Sequence, residues 1–185
     1  MQSLPTSDDN LPKIGGYMLR LSEAALSEMR ALIFELRPES IEKLGLVEAL
    51  RKQATELCER NGLTLVVSRD SAEPALPIAA KESIYRIGME AIQNIVKHAN
   101  AKTVMLRAAV DHDTLIMELK DDGAGFDTTA DHPGHMGLHN MRERTHQLGG
   151  ELQVSSAAGE GATVRVRVPL NIIKSAFATR GARAA

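Results

Sequence analysis

An acid, an amide and a base recur at helical spacing in the segment EAIQNIVKHANA, residues 90–101. Glu90, Asn94 and Lys97 are four and three residues apart, so in an α-helix they form one polar stripe. Apolar residues occupy most of the remaining circumference, which predicts a helix packed on more than one side. A polar stripe between apolar walls is typical of the wall of a pocket. The alternative is a solvated seam that an i, i+4 pair stabilises.

A carboxylate at the end of an apolar row marks a second candidate site, in the segment KDDGAGF, residues 120–126. Asp121 shares one face of a predicted strand with three apolar side chains, and a buried charge requires a partner. Gly123 and Gly125 follow at once, and they allow the backbone to turn and to approach a ligand closely. An exocyclic amine such as that of adenine would satisfy the carboxylate. The alternative is an Asp-Gly turn at a strand end, which is common.

Two further glycine-bearing segments are candidates for ligand contacts. The segment GHMGLHNMRER, residues 134–144, places glycines before a predicted helix, and the free N–H groups of a helix N-terminus bind phosphate. The segment GEGATV, residues 159–164, precedes a predicted strand. Taken singly, the first segment is equally a loop with a glycine cap, and the second is equally a hairpin.

Composition narrows the classes of function. The 185 residues carry a formal net charge of −2 and 3% aromatic residues, so the totals predict no nucleic-acid partner and no membrane contact by this segment. No run of 18 apolar residues occurs in the sequence, which predicts no membrane span. The single cysteine, Cys58, excludes a disulfide within the chain and favours a reducing compartment, so we expect a cytoplasmic location.

The hydrophobic pattern predicts two helices followed by a mixture of strands and helices. The first two helices fall at about residues 17–37 and 41–60, and Pro38 and an Asn-Gly pair end them. Five later segments have the composition of strands: LTLVVS, TVMLRAAV, TLIMELK, ELQVSS and ATVRVRVP. Tight turns join the later strands. We therefore expect an α+β fold with a mixed, mostly antiparallel sheet, helices on one face, and a helical segment in front.

The four candidate segments together carry a family resemblance that none carries alone. In their order and spacing, EAIQNIVKHA, KDDGAGF, GHMGLHNMRERTHQLGG and GEGATVRVRVP resemble the N, G1 and G2 boxes of the GHKL superfamily, which includes gyrase, Hsp90, histidine kinases and mismatch-repair ATPases. The spacing of Glu, Asn, Lys and His and the MRER helix are similar to those of the nitrate-sensor-like sensor histidine kinases. The resemblance covers about residues 44–169 and implies a Bergerat-type two-layer sandwich.

The resemblance implies roles for the residues of the helical stripe. Asn94 would bind Mg²⁺ through its amide oxygen, because a hard cation prefers oxygen ligands. Glu90 would be the catalytic residue, and it would hold or polarise a water molecule near the metal or the attacking group. Lys97 and His98 would contact the phosphates of ATP.

The resemblance also implies an adenine pocket built around Asp121, which would accept a hydrogen bond from the adenine amine. Gly123 and Gly125 would give the base room, and Thr163 would support the pocket beside Asp121. Strict alternation along the last strand, however, puts Thr163 on the polar face of that strand, away from its valines. Its implied role therefore requires Gly161 to break the register.

The third segment would meet the phosphates. By the same resemblance, Gly137 and Leu138 would open the phosphate-contacting helix, and residues from about 128 to 136 would form the ATP lid. This lid is short and has no long glycine run. Another departure is Asp122, which stands where many members of the superfamily carry Asn.

The domain organisation follows from the same resemblance. Residues 1–14 are polar and punctuated by proline, so we expect a disordered tail. Residues 15–40 resemble the last part of a dimerisation and phosphoacceptor hairpin, and residues 41–170 resemble the GHKL catalytic domain. Residues 171–185 are expected to form a loose tail.

The implied function is that of the ATP-binding catalytic domain of a two-component sensor histidine kinase. Such a domain binds Mg–ATP and donates the γ-phosphoryl group to a histidine. In this family the acceptor lies on an earlier helix, in a run such as Glu-Leu-His-Asp, and none of the six histidines stands in such a run. We therefore expect a fragment or truncated protein, monomeric or weakly oligomeric. Its expected partners are a phosphoacceptor helix and, in the full system, a response regulator.

Two alternatives stay open at this point. The chain could be a non-catalytic GHKL module that binds nucleotide and acts as a regulator. It could also be a serine kinase of the anti-sigma type, which shares the same boxes. The helix that carries ELRP, residues 35–38, argues against the serine kinase.

Overall fold

A five-stranded sheet with helices packed on one face forms the architecture of the computed structural model, which describes residues 38–68, 73–127 and 136–173. The elements are α1 (Pro38–Leu44), α2 (Leu46–Arg60), β1 (Thr64–Val67), α3 (Ile78–Asn94), β2 (Thr103–Asp111), β3 (Thr114–Asp121), α4 (Met136–Gln147), β4 (Glu151–Ser156) and β5 (Ala162–Pro169). Helix α3 continues as a π-helix, Ile95–Ala99. No helix in these ranges is long and apolar enough to cross a membrane.

Several predicted features lie outside the described residues. These are the disordered tail at residues 1–14, the dimerisation helix as far as residue 37, most of the lid (residues 128–135) and the loose tail from residue 174. The described part forms one compact unit, which begins at Pro38.

The strands are ordered β1-β2-β3-β5-β4 across the sheet. Strand β1 pairs with β2 in parallel, and the remaining pairings of the described strands are antiparallel. The antiparallel neighbours β2 and β3, and likewise β4 and β5, are joined by short turns, as the sequence predicts. The prediction of a mixed, mostly antiparallel α+β sheet is therefore confirmed.

The two faces of the sheet differ in polarity because the side chains alternate along each strand. On β3, the side chains of Leu115, Met117 and Leu119 point inward and are buried. On the outer face, Glu118 of β3 is paired in register with Arg165 of β5, and Arg165 Nε donates to Glu118 Oε2 at 2.6 Å. One face therefore packs on the helices, and the other carries the Glu118–Arg165 pair.

The central helix α3 is buried on two sides because it lies between other helices and the sheet. It contacts α2, α4 and β3, and its buried side chains include Ile84 and Ile92. A Cβ atom at Gly88 would lie 3.0 Å from the side chain of Leu50 and 3.3 Å from the sulfur of Met117. The absence of a side chain there lets α3 approach α2 and β3 together. The prediction that this helix is packed on more than one side is confirmed.

A carboxylate distant in sequence caps the start of α2. Glu73 Oε1 accepts a hydrogen bond from the Leu46 N–H and Oε2 accepts one from the Val47 N–H, each at 3.0 Å. Lys81 in the first turn of α3 pairs with the same carboxylate at 2.5 Å. Gly45 has φ +82°, and a Cβ atom there would lie 2.7 Å from the Glu73 carboxyl carbon. Glu73 thus joins the junction of α1 and α2 to α3.

The ionised form of Glu73 is favoured in the folded protein. Burial acts to raise the pKa of Glu73, but the hydrogen bonds from Lys81, Val47 and Leu46 outweigh burial and bring the pKa below its ordinary value. Because its folded pKa is depressed, Glu73 stabilises the fold above the unfolded-state pKa of about 4.3, and this contribution is lost as the pH falls through the folded pKa.

Replacement of Glu73 by glutamine should lower the free energy of unfolding by about 1–2 kcal/mol at pH 7, because the cap and the ion pair weaken. The difference from wild type should begin to shrink below about pH 4.3, where Glu73 of the unfolded chain becomes protonated, and should be lost as the pH falls through the lower folded-state pKa. Urea unfolding at a series of pH values measures both effects.

The matched control for this experiment is Glu56→Gln. Glu56 pairs with Arg60 on an exposed helix face, so its loss should cost about 0.5 kcal/mol or less. If Glu73→Gln cost no more than Glu56→Gln, the cap would not hold the junction between α1 and α2.

Candidate functional site

The structure contains a cavity of about 380 Å³. Its lining residues come from α3 and the π-helix that continues it, from β3, β4 and β5, and from the start of α4. This volume falls within the range of small-molecule sites in proteins. Six predicted site residues line the cavity: Asn94, His98, Asp121, Gly125, Gly137 and Leu138. The structure therefore brings together residues that are far apart in sequence.

Apolar side chains form most of the cavity wall. They include Ile95, Phe126, Val154 and Val164. Val154 and Val164 are register partners on neighbouring strands, so their side chains share the inner face of the sheet. Apolar walls with a few polar groups are typical of small-molecule sites in proteins.

Asp121 places a buried carboxylate at the wall of this cavity. It is the last residue of β3 and continues the inward row of that strand, so the residue is 3% exposed. Its Oδ1 accepts a hydrogen bond from the Gly123 N–H at 2.8 Å. A carboxylate has about four lone-pair positions, which leaves capacity for a further donor from a bound ligand.

Gly123 supports the site from outside the cavity. A Cβ atom there would lie 2.2 Å from the carbonyl oxygen of Ala99, and the N–H of Ala124 donates to that same oxygen at 2.7 Å. The backbone of the turn after β3 therefore lies in direct contact with the end of the π-helix. Gly123 is not among the lining residues, so this glycine makes room for protein backbone.

Gly125 and Gly161 allow the turn after β3 to contact the β4–β5 hairpin. Gly125 has φ +63°, and a Cβ atom there would lie 1.9 Å from the carbonyl oxygen of Ala157. At Gly161, with φ +73°, a Cβ atom would lie 2.1 Å from the carbonyl oxygen of Asp121. Neighbouring turns therefore enclose the backbone around Asp121, at distances that a side chain at Gly125 or Gly161 would not permit.

The polar stripe of α3 meets the start of α4. A Cβ atom at Gly137 would lie 2.5 Å from Glu90 Oε1 and 3.3 Å from Asn94 Nδ2. Glycine at this position lets the first turn of α4 approach both side chains. Asn94 lines the cavity, whereas Glu90 stands next to it against Gly137.

The π-helix at Ile95–Ala99 separates two residues that the sequence assigns to the same role. Both side chains are exposed, but His98 is among the residues that line the cavity and Lys97 is not. A π-helix adds one residue to the turn and often occurs at functional sites. Asn100, with φ +50°, ends it. The predicted contact of Lys97 with phosphate stays a prediction.

Thr163 lies on the outer face of the sheet. The register of β3 and β5 runs without interruption from Lys120–Thr163 to Thr114–Pro169, and the cavity is lined by Ala162 and Val164 instead. This placement corrects the expectation that Thr163 stands beside Asp121. The positive φ of Gly161 precedes the strand and leaves its alternation intact.

Several lining residues were not identified from the sequence. They are Ala91, Ile95, Ala99, Phe126, Val154, Ala162 and Val164. The alternation of β4 and β5 indicates that the two valines point inward. No local pattern shows that an inward-facing valine borders a cavity, because that depends on the pairing of distant strands.

Comparison with known proteins finds a matching family and similar sequences. Residues 79–172 match the model of the family described as histidine kinase-, DNA gyrase B-, and HSP90-like ATPase. Sensor histidine kinase YhcY of Bacillus subtilis is 35% identical over 169 residues, which cover 89% of this chain and 42% of YhcY. Sensor histidine kinase LiaS of the same organism is 28% identical over 170 residues, which cover 92% of this chain and 47% of LiaS. The chain spans less than half the length of these relatives.

Solved structures show the same fold. The histidine kinase domain of the blue-light activated histidine kinase EL346 from Erythrobacter litoralis has a TM-score of 0.62 at 24% identity, over 70% of this chain and 67% of that chain. Acinetobacter baumannii histidine kinase AdeS has a TM-score of 0.59 at 15% identity, over 91% of this chain and 87% of that chain. At these identities the likeness concerns the fold alone.

Replacement of Gly125 by alanine should destabilise the protein more than replacement of Gly159. Both glycines have positive φ, but a Cβ atom at Gly159 has no neighbour within 4 Å, whereas one at Gly125 overlaps Ala157. We expect Gly159→Ala to cost about 1–2 kcal/mol for its backbone conformation. Gly125→Ala should cost more and should also weaken ligand binding in the cavity. Thermal unfolding with and without nucleotide measures both, and equal effects would refute the close approach at Gly125.

Proposed function

Because the chain belongs to the histidine kinase-, DNA gyrase B-, and HSP90-like ATPase family, we propose that its cavity binds Mg–ATP and positions the γ-phosphoryl group for transfer to a histidine on another segment or chain. One observation carries the proposal. The carboxylate of Asp121, in a residue that is 3% exposed, lines an apolar-walled cavity that also presents Asn94 and His98.

Asp121 and the apolar walls suit the adenine base. The carboxylate accepts hydrogen bonds and has none to donate when ionised, so it complements the exocyclic amine of adenine. Ile95, Phe126 and Val164 would cover the faces of the ring, in keeping with the apolar lining of nucleotide-sized sites.

Asn94, His98 and the start of α4 suit the metal and the phosphates. Mg²⁺ is held by oxygen ligands and commonly by one or two protein groups together with substrate phosphates, so the amide oxygen of Asn94 fits this ion. Bound there, Mg²⁺ would neutralise phosphate charge. The backbone N–H groups near Gly137 and Leu138 stand at a helix N-terminus, which favours anions.

Glu90 and Lys97 have supporting roles in this proposal. The Glu90 carboxylate next to Gly137 would hold or polarise a water molecule near the metal or the attacking group. Lys97 is exposed, and its long side chain would reach the phosphates from the rim of the cavity.

The chemistry consists mainly of positioning and charge neutralisation. A neutral imidazole nitrogen of the acceptor would form a bond to the γ-phosphorus while the bond from that phosphorus to the β–γ bridging oxygen breaks, and ADP leaves. The acceptor would stand on a phosphoacceptor helix, and a response regulator would then receive the phosphoryl group.

The cytoplasm, where ATP is supplied, is the proposed compartment. The expected weak self-association concerns residues outside the described ranges and stays a prediction.

The relatives favour this function over the two alternatives. YhcY and LiaS are both named sensor histidine kinases. Neither name indicates a serine kinase or a regulator without transfer activity.

Replacement of Asp121 by asparagine should weaken ATP binding by roughly tenfold to a hundredfold, because a charge-assisted hydrogen bond in a buried site contributes about 1.5–3 kcal/mol. GTP should lose less, because guanine has no amine at the corresponding position. Calorimetry with each nucleotide and Mg²⁺ measures the two losses. Asp113→Asn, in the turn at the opposite end of β3, is the control and should bind both nucleotides as wild type does. An equal loss for ATP and GTP would place Asp121 outside the base pocket.

The chain alone should show negligible autophosphorylation on histidine despite binding ATP. Phosphoryl transfer needs the nucleophile in line with the γ-phosphate, and His98 is held in the helical wall of the cavity. Addition of a peptide with the phosphoacceptor helix of a sensor histidine kinase should allow transfer to that peptide. Acid-labile label from γ-labelled ATP is the measurement, with Asn94→Ala as the control for metal binding. Strong labelling of the chain alone, abolished by Asn94→Ala, would identify one of its own histidines as an acceptor.

A further inference from the structure

The side chain of Asp122 joins two parts of the frame around the cavity without lining the cavity itself. Its Oδ1 accepts hydrogen bonds from the N–H groups of Lys102 at 2.7 Å and Thr103 at 2.9 Å. Its own N–H donates to the carbonyl oxygen of Thr103 at 3.3 Å. The N–H donors of Thr103 and Lys102 stabilise the ionised carboxylate and lower the pKa of Asp122. Asp122 is exposed and is not among the lining residues.

Each part that Asp122 joins contains residues of the cavity wall. On one side, β3 ends at Asp121. On the other, the start of β2 follows the π-helix, from which His98 and Ala99 line the cavity. A second tie lies two residues beyond Asp122, where the N–H of Ala124 donates to the carbonyl oxygen of Ala99 at 2.7 Å. The two ties bracket the turn that follows Asp121.

Asp122 acts where the regular pairing of strands stops. The last register pair of β2 and β3 is Val104 opposite Asp121. Ends of strand ladders tend to fray, and here the end carries the one carboxylate that faces the cavity among its lining residues. The Asp122 carboxylate accepts backbone N–H groups of β2 beyond that last pair and so extends the attachment.

We propose that Asp122 is a positioning residue for the nucleotide. By fixing the turn after β3 to the start of β2, it sets the placement of Asp121 relative to His98 and Asn94. This inference rests on the proposed binding of Mg–ATP. ATP depends on that placement because it spans the base contacts and the phosphate contacts together, whereas adenosine uses the base contacts alone.

Three variants separate this role from simple stabilisation. Asp122→Ala removes the acceptor, and Asp122→Glu keeps the charge but moves the oxygens by one methylene. Both should bind Mg–ATP roughly tenfold more weakly, because the base contacts and the phosphate contacts are no longer preorganised together, and both should bind adenosine within about twofold of wild type. Asp122→Asn keeps an oxygen acceptor at the same position, so it should bind ATP as wild type does.

The experiment is calorimetry with Mg–ATP and an NMR titration with adenosine, for the three variants, wild type and Asp121→Asn. Wild type without ATP binding would refute the proposed function itself. A different result would overturn the role of Asp122 alone. In that case wild type and Asp121→Asn behave as expected, but Asp122→Ala and Asp122→Glu bind ATP normally. Equal losses of ATP and adenosine would also overturn it, because Asp122 would then shape the base pocket. If Asp122→Ala does not fold, the ATP affinities of Asp122→Glu and Asp122→Asn are compared instead, and equal affinities would overturn the role of Asp122.

Discussion

Burial of the Asp121 carboxylate is the constraint to which the surrounding backbone is fitted. A carboxylate in a residue that is 3% exposed needs hydrogen bonds from protein or ligand in place of those that water would supply. The inward position is dictated by strand alternation, and the Gly123 N–H supplies one donor. The enclosure around it consists of backbone, because Gly125 and Gly161 let two turns approach more closely than side chains allow. The site therefore depends on the absence of side chains as much as on the presence of functional ones.

Much of the site could be predicted from local patterns. Alternation along β3 places Asp121 inward, and helical spacing places Glu90 and Asn94 on one stripe, and the structure agrees with both. For Thr163, alternation predicted the outer face, the resemblance implied the pocket, and the register supports alternation. A period-2 pattern is a direct consequence of strand geometry, so it predicts the face on which Thr163 lies more directly than a motif comparison does.

The rest of the structure depends on contacts that local patterns do not encode. The segment at Ile95–Ala99 reads as ordinary α-helix, and its π-helical form accompanies the contact between Ala99 and the turn after β3. Similarly, the cap of α2 comes from Glu73, which is 27 residues from Leu46. No local sequence pattern at Glu73 or at Leu46 indicates this contact, because a capping residue is normally adjacent in sequence to the helix that it caps. The strand types and the sandwich were predictable, and these long-range ties were not.

The order of strands has a consequence for the time at which the cavity forms during folding. The hairpins β2–β3 and β4–β5 join neighbours in sequence, whereas β3 and β5 pair across a long separation, as in the contact of Arg165 with Glu118, 47 residues apart. Local contacts form quickly, and distant pairings carry a larger cost of loop closure. Since the cavity takes walls from both hairpins, we expect it to exist only after the slow pairing is made. A nucleotide would then bind the completed fold and shift the equilibrium toward it by mass action, with little influence on the rate at which the chain folds.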